Sequence, residues 1–258
     1  RLRYINDATG NICTWTYGQN ILVSAGANAS ATGIMTFFTG TGGGLSGKND
    51  LGGMMPVALD VDPAGSIASM RTKSQHIYLK SAHVTFDVSL TSAADALVEL
   101  YECVCLKDVG NGEILMTSAD TFVDDWIARM PQNLGGMGAT PGTAVLSRTS
   151  YMNNPYFWHE FGAYYKIQKV TKLSIQAGKS VQFDRHYPVH KIIDADTLSG
   201  NDHFRYLTRL IVVCVRGVTA GTASTGAPVC SVTGWTTYKF TSRDVNANVF
   251  TTTATRAT

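Results

Sequence analysis

The sequence predicts an all-β fold, a single antiparallel β domain over residues 1–258, and three observations predict it. Apolar and polar residues alternate with a period of two through most of the apolar stretches. Only one segment carries helical spacing. The connections are long and rich in glycine, alanine, serine and threonine, with 25 glycines in 258 residues and only 16% of residues charged. At 44% hydrophobic and 10% aromatic, the chain can bury enough apolar surface to offset its ordering entropy, which excludes a disordered protein.

Taken in order, Ile12–Val23 alternates weakly. In His83–Leu90, Val84, Phe86, Val88 and Leu90 alternate with Thr85, Asp87 and Ser89, the pattern of a half-buried strand. Ala96–Leu106 is apolar on both faces and interrupted only by Glu99 and Glu102, so it reads as a strand covered on both sides. Ser118–Met130 places Phe122, Val123, Trp126, Ile127 and Met130 on one face of a helix, with Ser118 as N-cap and Pro131 as its stop. Phe161–Gln176 alternates, turns at Ala177-Gly178-Lys179, and continues through Val181, Phe183, Tyr187 and Val189 as a long hairpin. Tyr206–Val218 is the most apolar strand, and Trp235–Thr241 alternates again. Ser24–Gly33, Gly40–Gly53, Gly135–Gly142 and Gly217–Gly226 read as loops.

Lysine plus arginine is 21 and aspartate plus glutamate 19, a net charge of +2, so the folded body is not basic enough to neutralise a nucleic acid by itself. The charge is uneven. Asp95–Asp125 holds eight acids and one lysine, whereas Tyr151–Arg216 holds nine bases and five acids, an asymmetry suited to packing against another copy of the chain. The longest apolar run, around Leu210–Val215, is far short of the ~18 residues of a membrane helix. Five cysteines (Cys13, Cys103, Cys105, Cys214 and Cys230) have no CxxC spacing and read as reduced small hydrophobes, favouring an intracellular place of folding. No charged-then-apolar leader is visible. The start at Arg1-Leu2-Arg3 leads us to expect a further segment upstream.

Several motifs approach a chemistry without reaching it. Gly42–Lys48 fits GxxxxGK, but Asn49 lacks the hydroxyl that ligates magnesium, and Asp50-Leu51-Gly52-Gly53 cannot start a helix whose N-terminus would hold phosphate, so the stretch reads as a flexible glycine-rich loop. His186 and His190 would stand about 13 Å apart on a strand, too far to share a metal. Asp194–Gly200 echoes a calcium loop, but its glycine is one place late and Arg205 replaces the bidentate acid. Asp60 and Asp62 are weak candidates for calcium at a subunit contact. There is no GxSxG elbow, and Glu160 beside His159 sits in an aromatic run more typical of a strand edge or an interface. Asn28-Ala29-Ser30 is a lone sequon.

The stretch from Phe157 to Gly217 carries a resemblance. It runs Phe157-Trp158-His159-Glu160-Phe161, then Tyr165–Thr171, the turn Gln176-Ala177-Gly178-Lys179, and Arg205-Tyr206-Leu207 through an apolar strand to Arg216-Gly217. This resembles the C-terminal half of the single jelly-roll capsid proteins of small circular single-stranded DNA (CRESS-DNA) viruses. The motifs are degenerate, cover about a quarter of the chain, and are shared in spirit with capsids of small RNA viruses. The resemblance implies an eight-stranded antiparallel jelly roll of two four-stranded sheets, with long loops and one short inserted helix. It places strands near Ile12–Val23, Gln75–Leu90, Ala96–Leu106, within Ala144–Trp158, and at Phe161–Gln176, Ser180–Ile193, Tyr206–Val218 and Val229–Ser242.

It further implies no enzyme activity and no cofactor, self-assembly with other copies into an icosahedral shell, and a single-stranded DNA genome inside a virion assembled in the nucleus. An arginine-rich arm is expected upstream, with Arg1 and Arg3 its remnant. On the folded body Lys166, Lys169, Lys172 and Arg185 are the candidates for contact with nucleic acid. A second reading is the capsid protein of a small RNA virus, or a carbohydrate-binding β-sandwich that stacks sugars on Trp158, Tyr156 or Trp235. A third is a jelly-roll enzyme with a metal on strand histidines.

Overall fold

The computed structural model describes residues 13–25, 30–40, 50, 51, 54, 76–92, 94–110, 154–156, 158, 161–217 and 228–242. Among them run β1 (Cys13–Ser24), β2 (Ser30–Phe37), β3 (His76–Leu90), β4 (Ala96–Cys105) and β5 (Val109–Gly110). The helical turn α1 (Phe161–Tyr164) leads into β6 (Tyr165–Ile175) and β7 (Ser180–Asp194). Then come α2 (Ala195–Gly200), β8 (Asn201–His203), β9 (Arg209–Gly217) and β10 (Val229–Ser242).

Leaving aside the two-stranded β5–β8 pair, eight long strands form two antiparallel sheets, ordered β1-β10-β3-β7 and β2-β9-β4-β6. The first long strand pairs with the last, the second with the seventh, the third with the sixth and the fourth with the fifth. That is one long hairpin. The β10–β3 and β9–β4 pairs roll it up on itself, so the chain is wound as a jelly roll.

Between the sheets lies the core foreseen from alternation: Val84, Phe86, Val88 and Leu90 of β3 face Val98 and Leu100 of β4 and Ile211, Val213 and Val215 of β9. Phe86 stacks on Phe183 of β7, with centroids 4.9 Å apart. Two polar devices tie the layers together. Gln19 Nε2 of β1 donates to the Thr36 carbonyl of β2 at 2.5 Å. The fully buried carboxylate of Asp50 accepts from the Phe38 and Thr39 amides at 2.8 and 2.7 Å, and from the hydroxyl of Tyr238. Burial pushes the Asp50 carboxyl up, and these donors pull it back.

Two expectations are corrected. The second strand is Ser30–Phe37, whose first four residues fall in the stretch read as a loop from Ser24 to Gly33. Most of its residues are buried on both faces, so Ser30-Ala31-Thr32-Gly33 shows no alternation to recognise. Most of the span Ala144–Trp158, where a further strand was expected, lies outside the described residues; within it, residues 154–156 and 158 are turns and bends. Asp50 and Leu51, expected not to start a helix, do adopt helical backbone after the glycine-rich stretch, but the Asp50 carboxylate turns to protein amides. The helix expected at Ser118–Met130 lies outside the described residues; among those described, the helices with both ends defined are the short α1 and α2.

Candidate assembly surface

The two sheets treat their outer faces differently. On the second sheet, Ile34 (β2), Tyr101 and Cys103 (β4) and Leu210, Val212 and Cys214 (β9) form a second apolar cluster, closed by Trp158, Phe161 and Tyr164. Trp158 and Phe161 meet edge to face, with centroids 5.3 Å apart. β4 is therefore covered on both sides, as its sequence required. Cys103, Cys105, Cys214 and Cys230 are free and buried, and desolvation pushes each thiol up to about 12.

The two glutamates that interrupt β4 are both paired. Glu99 accepts from Tyr101 Oη at 2.7 Å and Arg216 Nη2 at 2.9 Å, and Lys172 Nζ lies 3.1 Å away. Glu102 points the other way and takes Arg185 of β7 across the gap between the sheets.

The outer face of the first sheet is bare by comparison. Ile21, Val23, Val232 and Tyr238 point inward, so the alternation turns Leu22 and Trp235 outward, where they are 70% and 42% exposed. Ile192 of β7 is 40% exposed. Around them the face is mostly neutral: Asn20, Ser231, Thr233, Ser89 and Gln182, with Asp184 taken up by Thr85 Oγ1 at 2.6 Å and His83 Nε2 at 3.4 Å. Among the described residues no strand pairs with the outer edges of β1, β7, β2 or β6, so four rows of backbone donors and acceptors remain at the sheet margins.

The basic residues singled out from the sequence divide into three groups. Arg1 and Arg3 lie outside the described residues, as do Asp60 and Asp62. Arg185 and Lys172 are held by Glu102 and Glu99. Lys166 and Lys169 are exposed on the edge strand β6. Of the aromatic residues considered for sugar stacking, Trp158 is buried and closes the second apolar cluster. Tyr156 stands edge-on to Tyr101 at 5.8 Å, and Trp235 lies on the other sheet, so the three make no common platform. Alternation alone could have found Leu22 and Trp235 as outward apolar residues.

No family model and no curated protein matches the sequence. Solved structures similar to the chain include the turnip yellow mosaic virus structure, 10% identical over 90% of this chain and 84% of that one, with a TM-score of 0.29. A heated full particle of Israeli acute paralysis virus is 12% identical over 96% of this chain and 71% of that one, also with a TM-score of 0.29. Infectious bursal disease virus, Gx strain, is 9% identical over 87% and 36%, with a TM-score of 0.19. At scores this low the likeness decides nothing, and the jelly roll rests on the strand order above.

Proposed function

We propose that the chain is a viral shell protein that assembles with copies of itself around a single-stranded genome. The observation that carries this reading is the outer face of the first sheet, where Leu22, Trp235 and Ile192 stand exposed among mostly uncharged polar residues, on a sheet with whose margins no described strand pairs. Such side chains suit burial against an equivalent surface. The rolled topology leaves the described sheet margins for such contacts, and the resemblance of Phe157–Gly217 to CRESS-DNA virus capsids favours a DNA cargo in a virion built in the nucleus. Exposed Lys166 and Lys169, together with Arg1 and Arg3, would meet the genome without sequence preference. No catalytic step belongs to this reading.

Expressed protein should form closed particles by electron microscopy and fast sedimentation, and the replacements Leu22→Lys and Trp235→Lys should release folded subunits. Nuclease typing of nucleic acid protected inside the particles separates a DNA from an RNA cargo. A clean monomer at high concentration across salt and pH would overturn the proposal. Saturable glycan binding by that monomer, lost on Trp235→Ala, would favour the carbohydrate-binding reading instead.

A further inference from the structure

At one end of the sandwich the last third of β7, the segment before β9 and Phe38 at the end of β2 enclose a cleft of about 340 Å³. His190, Lys191, Arg205 and Arg209 line it and, among the described residues, no carboxylate does; a neighbouring acid, Asp108, accepts from the Arg205 amide at 2.8 Å. Elsewhere the half-buried guanidinium groups have acids: Arg185 takes Glu102 and Arg216 takes Glu99. Arg209 does not. Its Nη1 donates to the neutral Gln168 Oε1 at 2.5 Å, and its guanidinium lies 5.2 Å from the Tyr187 ring centroid. Burial pulls Arg209 below the usual arginine range, with only Tyr187 opposing. Among the described residues, then, Arg209 is a half-buried cation with no acid beside it, an incomplete arrangement.

The backbone around the cleft is unusual in the same place. Among the described residues, the non-glycine residues with positive φ are Phe38 (60°), His190 (49°) and Tyr206 (57°), and all three line this cleft. Left-handed backbone at bulky residues is strained and persists where the surroundings impose it, often at binding sites. Both neighbouring edge strands are also bulged. Val189 and His190 of β7 stand opposite Lys80 alone, and Gln168 of β6 is the extra residue against Glu102 and Cys103. At the cleft the Tyr206 ring remains 59% exposed, with the Arg205 guanidinium 4.8 Å from its centroid.

We propose that this cleft binds a nucleoside phosphate, with Lys191, Arg205 and Arg209 holding the phosphate and Tyr206 stacking on the base. Guanidinium and ammonium groups supply the charge-assisted donors a phosphate needs, and an exposed aromatic ring supplies the sequence-tolerant platform a base needs. The volume suits one nucleotide unit, whether free or within a strand. The site stands on its own residues and holds whether or not the chain forms a shell.

The test titrates the full chain, in whatever assembly state it takes, with uridine 5′-monophosphate, a short oligothymidylate, inorganic phosphate and an acidic peptide. Arg205→Ala, Arg209→Met, Tyr206→Ala and the control Lys179→Ala are compared with the parent, each checked for folding by circular dichroism. The nucleotide or the oligothymidylate should bind, weakened by about tenfold or more in Arg205→Ala and Arg209→Met and unchanged in Lys179→Ala. Tyr206→Ala should weaken nucleotide but not inorganic phosphate. Binding of the monophosphate marks a free-nucleotide site, and binding of the oligothymidylate alone marks a strand site. Arg205 is exposed, so Arg205→Ala stays informative even if Arg209→Met fails to fold. No binding by either nucleotide probe, parent-like affinity in Arg205→Ala, or tighter binding of the acidic peptide would overturn the proposal.

Discussion

Arg185 of β7 holds Glu102 of β4 in a two-pronged grip, Nη2 to Oε1 at 2.6 Å and Nε to Oε2 at 2.9 Å, and so joins the sheets along their β7 flank. The Arg185 side chain is 23% exposed and that of Glu102 14%, too sheltered for water to replace either partner fully. Arg185→Met should therefore cost about 2 kcal/mol in urea unfolding, because Glu102 loses its charged donors. Adding Glu102→Leu should restore most of that loss. Additive losses in the double variant would show that the pair does not act as a unit.

Glu99 gives the fold a dependence on pH. Desolvation pushes its carboxyl up, but hydrogen bonds from Tyr101 and Lys172 and the charge of Arg216 outweigh this and hold it below the usual glutamate range. A depressed folded-state value means the stabilisation is complete above the unfolded value, about 4.3, and is lost as pH falls through the folded one. The urea midpoint of the parent should exceed that of Glu99→Gln at neutral pH, and the gap should shrink in acid. A gap independent of pH would assign the effect to packing.

Gly40 and Gly234 offer a contrast between an unyielding neighbour and a flexible one. A Cβ on Gly40 would run into the Asn201 carbonyl and come within 2.7 Å of the Leu198 carbonyl oxygen, both backbone. On Gly234 it would meet Met35 Sδ at 2.9 Å, a thioether able to change rotamer. Gly40→Ala should therefore fail to fold or melt far below the parent, while Gly234→Ala should cost about 1–3 kcal/mol. Equal thermal midpoints for the two variants would contradict this close approach of the chain at Gly40.

How much of this was legible depended on which force left a periodic mark. β3, β7 and β10 were found within a residue or so because each has a face whose burial follows the alternation, and β4 because its two-faced burial falls on a run of large apolar residues. β2 was missed because burial on both faces erases the period, and its small residues look like a loop. The paired roles of Glu99 and Glu102 were half visible: their interruption of an apolar strand was plain, but their partners come from β6, β7 and β9, set by register. The basic cleft was invisible in sequence, since Arg205 and Arg209 meet Lys191 only through the roll of the sheets and the bulge at His190.

The buried thiols test whether the second sheet is covered on its outer face. Cys103, Cys105, Cys214 and Cys230 are pushed up to about 12 by desolvation, so at pH 8 roughly one in ten thousand of each is the reactive thiolate. Native protein treated with iodoacetamide should leave these four unmodified by mass spectrometry, and urea should expose all of them. Modification of Cys103 or Cys214 at the rate of a free thiol would mean that Trp158, Phe161 and Tyr164 do not close that face. Trp158→Ala should turn the same experiment positive, because the ring sealing the cluster over Cys103 and Cys214 is gone while the inner core around Cys230 is untouched.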